Sequence, residues 1–174
     1  MKNDNVKSFV VLVAICVVVA ALMGVVNKIT FPKIAEIEAE KVQAAMLVVM
    51  PQGQNFTKVE FEVDSLDKSV KEVYKEDNGG YVFRLSATGY ASGMIIMCGI
   101  DANGIVTGAT CIKSSETLEA EKTYGENFTG KDFQSVDSVD TVSGATLTTR
   151  AYKNAIKIAL DSFNSLKESE GAND

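Results

Sequence analysis

The 174-residue chain has no histidine, no tryptophan, two prolines and three cysteines, Cys16, Cys98 and Cys111, none of them in a CxxC pair. Without histidine there is no usual zinc ligand set, no Ser-His-Asp or Cys-His relay, and no haem on a histidine axial ligand. Three scattered cysteines do not supply an iron–sulfur cluster, and Cys16, inside an apolar run, reads as a small hydrophobe. Positive charge is also short. Residues 1–28 hold Lys2, Lys7 and Lys28 against Asp4, which leaves 14 basic and 22 acidic residues downstream, a net −8. Such an acidic body lacks the cationic footprint of nucleic-acid binding, so no DNA or RNA partner is expected.

What the chain does have is an apolar run. Phe9 to Val26 carries no charge over 18 residues. As a helix it extends roughly 27 Å, close to the ~30 Å hydrocarbon core of a bilayer. A buried core helix usually keeps a polar stripe, and a cleavable signal ends its apolar region after about 7–15 residues at a small-x-small site. Here Leu22, Met23, Val25 and Val26 continue the run. An uncleaved transmembrane helix over residues 9–28 is therefore expected, after a short cytoplasmic tail, residues 1–8. Lysines flank both ends and nearly balance the positive-inside rule, with the domain outside as the favoured orientation.

Downstream, residues 29–51 read as a helical stalk with Pro32 in its first turn and Pro51 closing it. Val59–Val63, Val70–Lys75 and Tyr81–Thr88 are predicted strands. Met94–Ile100 and Ile105–Lys113 form a predicted hairpin around Asn103-Gly104. Pairing Ile100 with Ile105 puts Cys98 opposite Thr107 and Cys111 opposite Met94, about 13 Å apart along the ladder and too far for a disulfide. A helix is expected from Leu147 to Leu166. The expected fold class is α+β: a single transmembrane helix, then an antiparallel-sheet domain over residues 52–166 with a C-terminal helix, then a loose tail, residues 167–174.

The segment richest in chemical meaning is Asp140-Thr141-Val142-Ser143-Gly144-Ala145-Thr146-Leu147-Thr148-Thr149. Small and hydroxylic residues run into a helix whose first amides lack internal partners, which suits an anion such as a phosphate. On these grounds alone, a simple helix cap by Ser143 or Thr146 is the favoured reading. Tyr90 is a candidate to stack on a bound ring but reads first as core packing, Lys113 is a candidate phosphate or ring contact but reads first as a solvated lysine, and Glu116, Glu119 and Glu121 read as a solvated acidic face.

The same segment resembles the Asp-x-x-(Ser/Thr)-Gly-Ala-Thr signature of the FMN-binding domain family found in Rnf and sodium-pumping NADH:quinone oxidoreductase complexes. The resemblance runs from Gly89 to Leu160. It takes in Gly89-Tyr90, Met94–Ile100, Asn103-Gly104, Glu116-Thr117 and the closing helix, and the short single-span form is that of the Rnf G subunits. It implies FMN bound covalently through its phosphate to Thr146, with Ser143, Gly144, Ala145, Leu147, Thr148, Glu116 and Thr117 as cofactor contacts. It further implies a separate flavin transferase that recognises Asp140 and uses FAD as donor, since no histidine is present to activate a threonine hydroxyl. The implied role is an electron-transfer subunit, without independent catalysis, among the other subunits of a Rnf complex in a bacterial plasma membrane. One departure stands out: the family continues Glu-Thr with Pro-Gly-Leu-Gly, and this chain with Leu118-Glu119-Ala120-Glu121. A pilin-like scaffold and a sensory FMN-binding module are the competing readings, although the apolar helix lacks the glutamate usual in pilins.

Overall fold

The computed structural model describes residues 2–61 and 66–171. The chain divides into two compact units between Lys41 and Val42. The first is most of α1 (Lys2–Val49), one continuous helix that includes Pro32. Pro32 therefore does not open a separate stalk helix. It costs the helix one backbone hydrogen bond, and the strong helix formers that follow it, among them Lys33, Ala35 and Glu36, continue the ladder. This is the one helix among the described residues that is long and apolar enough to cross a membrane.

The second unit begins with the last turns of α1 and contains a five-stranded antiparallel sheet in sequence order. Its strands are β1 (Phe56–Val59), β2 (Val70–Glu76), β3 (Tyr81–Ala87), β4 (Met94–Ile100) and β5 (Val106–Lys113). A short helix α2 (Glu121–Tyr124), two 3-10 turns and the long helix α3 (Thr146–Gly171) complete it. This is an α+β architecture, as the order of predicted elements implied. The first strand differs from the expected Val59–Val63. It ends at Val59, where Phe56 and Val59 pair with Glu76 and Val73, while residues 62–65 lie outside the described residues.

Strand alternation sends one set of side chains to each face of the sheet. Tyr81, Phe83, Leu85, Ile96, Cys98 and Ile100 pack with Tyr152, Ile156, Ala159, Leu160 and Phe163 of α3. Val82 and Met97 face the opposite way and are covered by Val42, Ala45, Met46, Val49 and Met50 from the end of α1. Both faces of the central strands are thus buried. α3 continues past Leu166 to Gly171, into residues expected to be loose, because Glu170 accepts hydrogen bonds from Lys75 Nζ and Tyr81 Oη, each at 2.6 Å. The rest of that expected tail, residues 172–174, lies outside the described residues.

The β4–β5 register also differs from expectation. Ile100 pairs with Val106, Cys98 with Ala109 and Ile96 with Cys111, with irregularities at Gly99/Ile100 and Ile95/Ile96. Each irregularity inserts an extra residue that simple alternation does not reveal. Cys98 and Cys111 become diagonal neighbours, about 7–8 Å apart by sheet geometry and beyond disulfide reach. Both are free thiols.

The end of α1 lies very close to the sheet. A Cβ on Gly99 would stand 2.6 Å from both the Val49 carbonyl oxygen and Thr107 Oγ1, and one on Gly108 would stand 3.0 Å from Val49 Cα. Thr107 Oγ1 donates to that same Val49 carbonyl at 2.5 Å. The two glycines form a notch for backbone. Gly99→Ala should force Val49 out of it and lower stability by about 1–3 kcal/mol, as overpacking does; chemical denaturation of the detergent-solubilised protein is the check, and an unchanged midpoint would contradict the notch.

Candidate functional site

Three segments distant in sequence converge on one cleft: Tyr90 after β3, Glu116–Leu118 after β5, and Gly144–Thr148 at the start of α3. The cleft encloses about 410 Å³, within the ~300–1,000 Å³ usual for small-molecule sites.

Glu116 joins the three segments. Its carboxylate accepts from the backbone N–H groups of Tyr90 (3.2 Å) and Ala91 (3.0 Å) and from the Thr148 hydroxyl (2.5 Å). The fit explains Gly89, because a Cβ there would lie 2.6 Å from Glu116 Oε1 and 2.9 Å from Thr148 Cα.

The loop before α3 is held from several directions. Tyr124 Oη donates to the Asp140 carbonyl at 3.0 Å and Lys153 Nζ to the Val139 carbonyl at 2.9 Å. The Val142 N–H donates to Thr149 Oγ1 at 3.2 Å. Gly144 then turns the chain with φ +85, a conformation that suits glycine, and nothing lies within 4 Å of where its Cβ would be. The consequence is an open backbone approach at the start of a 26-residue helix, where orphan amides and the helix dipole favour an anion.

Of the residues singled out in the sequence, Glu116, Thr117, Gly144, Ala145, Thr146, Leu147 and Thr148 line the cleft. Ser143 and Asp140 do not; both are exposed on the loop leading to it. The capping reading is not what the structure forms: Thr146 Oγ1 donates back to the Val142 carbonyl at 3.4 Å, and among the described residues no helix amide donates to Ser143 or Thr146. Tyr90, expected in the core, is instead 75% exposed at the cleft mouth. Leu118 also lines the cleft and was missed; its place directly after Glu116-Thr117 was the available signal. Lys113 is exposed and outside the lining.

The acidic cluster is not the solvated face it resembled. Glu119 is exposed, Glu116 is half-buried in the clamp, and Glu121 is only 2% exposed. The difference arises at Glu119, which adopts φ +52 and reverses the chain so that Glu121 enters the interior on α2. Glu119 stands where the resembled family pattern carries its first glycine, the residue type that adopts a positive φ most easily. Its side chain pairs with Lys122 at 2.7 Å.

Glu121 Oε2 and Tyr152 Oη are buried and have no hydrogen-bond partner among the described residues. Burial pushes the Cys111 thiol up to about 11, and the charges of Glu121 and Glu116 add to the shift. Burial likewise raises Tyr152, with Cys111, Cys98 and Glu121 contributing.

Comparison with known proteins agrees with the position of this cleft. The FMN-binding domain family matches residues 89–161, which contain every residue of its lining. The chain is 33% identical over 175 residues to the G subunit of the ion-translocating oxidoreductase complex of Methanosarcina acetivorans, covering 89% of this chain and 92% of the relative. It is 23% identical over 192 residues to the G subunit of the Na(+)-translocating ferredoxin:NAD(+) oxidoreductase complex of Acetobacterium woodii, covering 93% of each.

Fold and cleft therefore define an FMN-binding-domain protein. Within that class the chain belongs to the family of G subunits of ion-translocating oxidoreductase complexes, the Rnf complexes. The residues present suit the cofactor. An open glycine turn at a helix start accommodates a phosphate, and Tyr90, Leu118 and Leu147 present exposed apolar surface for a flat ring.

A left-handed non-glycine residue costs roughly 1–2 kcal/mol, whereas glycine costs only about 0.5–1 kcal/mol of extra chain entropy. The exposed Glu119–Lys122 pair adds little. Glu119→Gly should accordingly raise unfolding stability by about 0.5–1 kcal/mol; a loss of stability in denaturant titration would contradict the strain assigned to this turn.

Proposed function

We propose that this chain is the flavin-carrying electron-transfer subunit of a membrane-bound ion-translocating ferredoxin:NAD oxidoreductase, with FMN joined by a phosphoester to Thr146. The observation that carries this reading is the location of Thr146. The last threonine of the Asp-x-x-Ser-Gly-Ala-Thr segment is half-buried in the cleft wall, at the first turn of α3 and beside the open Gly144 turn.

The attachment falls to a separate flavin transferase. Among the described residues the Thr146 hydroxyl is hydrogen-bonded to the Val142 carbonyl and to no general base. With FAD as donor, Thr146 Oγ1 forms a bond to the phosphorus of the FMN half. The pyrophosphate bond breaks, AMP leaves, and the threonine proton passes to a base of the transferase. Asp140, exposed on the approach loop and outside the cleft, is accessible for recognition by that enzyme. Once attached, FMN supplies one- and two-electron chemistry. Thr146 tethers it, Gly144, Ala145, Leu147 and Thr148 shape its site, and Glu116 and Thr117 form the opposite wall. Ser143, next to the cleft, is a minor contact.

The same reading puts the apolar helix in the bacterial plasma membrane, with other Rnf subunits as partners and the domain on the extracytoplasmic side. Mass spectrometry after co-expression with a flavin transferase should find one FMN-phosphoryl adduct on the peptide containing Thr146. Thr146→Ala should abolish the adduct and most of the bound colour, and an adduct-free wild-type chain would overturn the assignment. For the side of the membrane, Asp161→Cys, at an exposed position of α3, should react with an impermeant maleimide in intact cells; labelling only after lysis would reverse the orientation.

A further inference from the structure

We propose that Arg150 is the cation that holds the phosphodiester formed at Thr146, its guanidinium donating to the two non-bridging oxygens. This rests on the reading of Thr146 as the attachment point of FMN.

Helix geometry places the two residues together. α3 begins at Thr146 and Arg150 follows four positions on, a spacing that sets Cβ atoms about 5–6 Å apart on one face. Helical side chains lean toward the N-terminus, so a long one covers the turn before its own Cα. For Arg150 that turn begins at Thr146. Thr146 is half-buried and Arg150 exposed, and a Cβ on Gly144 would meet nothing within 4 Å. The helix start is therefore open on the side from which an esterified phosphate must leave the threonine.

Arg150 is also a charge without a local reason. Of the four cations on α3, Lys153 donates to the Val139 carbonyl, Lys157 pairs with Asp137 and Lys167 with Glu170. Arg150 has no ion pair or hydrogen bond among the described residues. The positions three and four away from it on α3 hold Thr146, Leu147, Lys153 and Asn154, none of them a carboxylate. A cation near a helix start opposes the dipole, which favours acids there, yet the first turn of α3 contains no acid. Orphan amides, dipole and guanidinium thus concentrate positive potential beside Thr146, on a body that is otherwise acidic.

A phosphodiester supplies the charge that is missing. Its single negative charge is shared by two oxygens, and the planar fork of an arginine pairs with two such acceptors at once. Arg84, the other arginine of the chain, is committed to Glu72 at 2.9 Å. Pairing with Arg150 restrains the tether at its phosphate end and so limits where the ring can lie in the cleft.

The test uses full-length protein in detergent, isotopically labelled at arginine nitrogen, with and without covalent FMN supplied by a co-expressed flavin transferase. Two arginines give two Nε–H resonances, and Arg150→Lys assigns them by removing one. Loading should shift the Arg150 Nε–H and slow its exchange with water, leaving that of Arg84 unchanged. In phosphorus NMR, the phosphodiester resonance of loaded Arg150→Gln should be displaced from that of the wild type. An Arg150 signal with the same shift and exchange rate in loaded and unloaded protein would overturn this inference, while the adduct on the Thr146 peptide leaves the attachment standing. Absence of covalent flavin from the wild type would overturn both.

Discussion

The cleft depends on one carboxylate. Glu116 takes backbone hydrogen bonds from Tyr90 and Ala91 and a hydroxyl bond from Thr148, and so ties the β3–β4 loop, the segment after β5 and the first turn of α3 together. A charged acceptor makes hydrogen bonds roughly twice as strong as neutral ones, and three donors satisfy most of its capacity. Remove it and the three walls have no common anchor. The absence of a side chain at Gly89 is the complementary condition, since the carboxylate and α3 occupy the space a Cβ would need.

The fold brings Glu116 to that point by burying both faces of its sheet. α3 covers one face with Tyr152, Ile156, Leu160 and Phe163, and the last turns of α1 cover the other around Met97 and Val82. The glycine notch at Gly99 and Gly108 lets α1 end with its backbone against β4 and β5, the two strands that lead to the cleft. The helix end and the sheet are thereby fixed to each other through Thr107 and Val49. The same β-irregularities that shift the cysteines also shift β5 relative to β4 at its cleft end.

Among the described residues the buried polar atoms without a hydrogen-bond partner are Arg84 Nε on β3, Glu121 Oε2 on α2 and Tyr152 Oη on α3, and the non-glycine residues with positive φ are Asn55 and Glu119. The left-handed Glu119 turns the chain so that Leu118 lines the cleft while Glu121 goes inside. Other charged groups find partners, as Glu72 does with Lys58 and Arg84 Nη1, or Asp137 with Lys157. The contrast is physical: those pairs sit where water shares the solvation, whereas Glu121 Oε2 and Tyr152 Oη are buried with no partner among the described residues.

Local pattern sufficed for much of this protein. The uncharged run from Phe9 to Val26 marked an apolar helix, alternation marked four of the five strands closely, and the small, hydroxylic run before α3 marked an anion-suited helix start. Each is a property of neighbouring residues and of fixed helical or strand periods. What required tertiary structure involved distance across the fold. The β4–β5 register depended on two irregularities, the position of Tyr90 on a loop held by Glu116, and the fate of Glu121 on a single positive φ at Glu119. Acidic residues three and two positions apart look alike in sequence, and only packing decides which of them keeps its water.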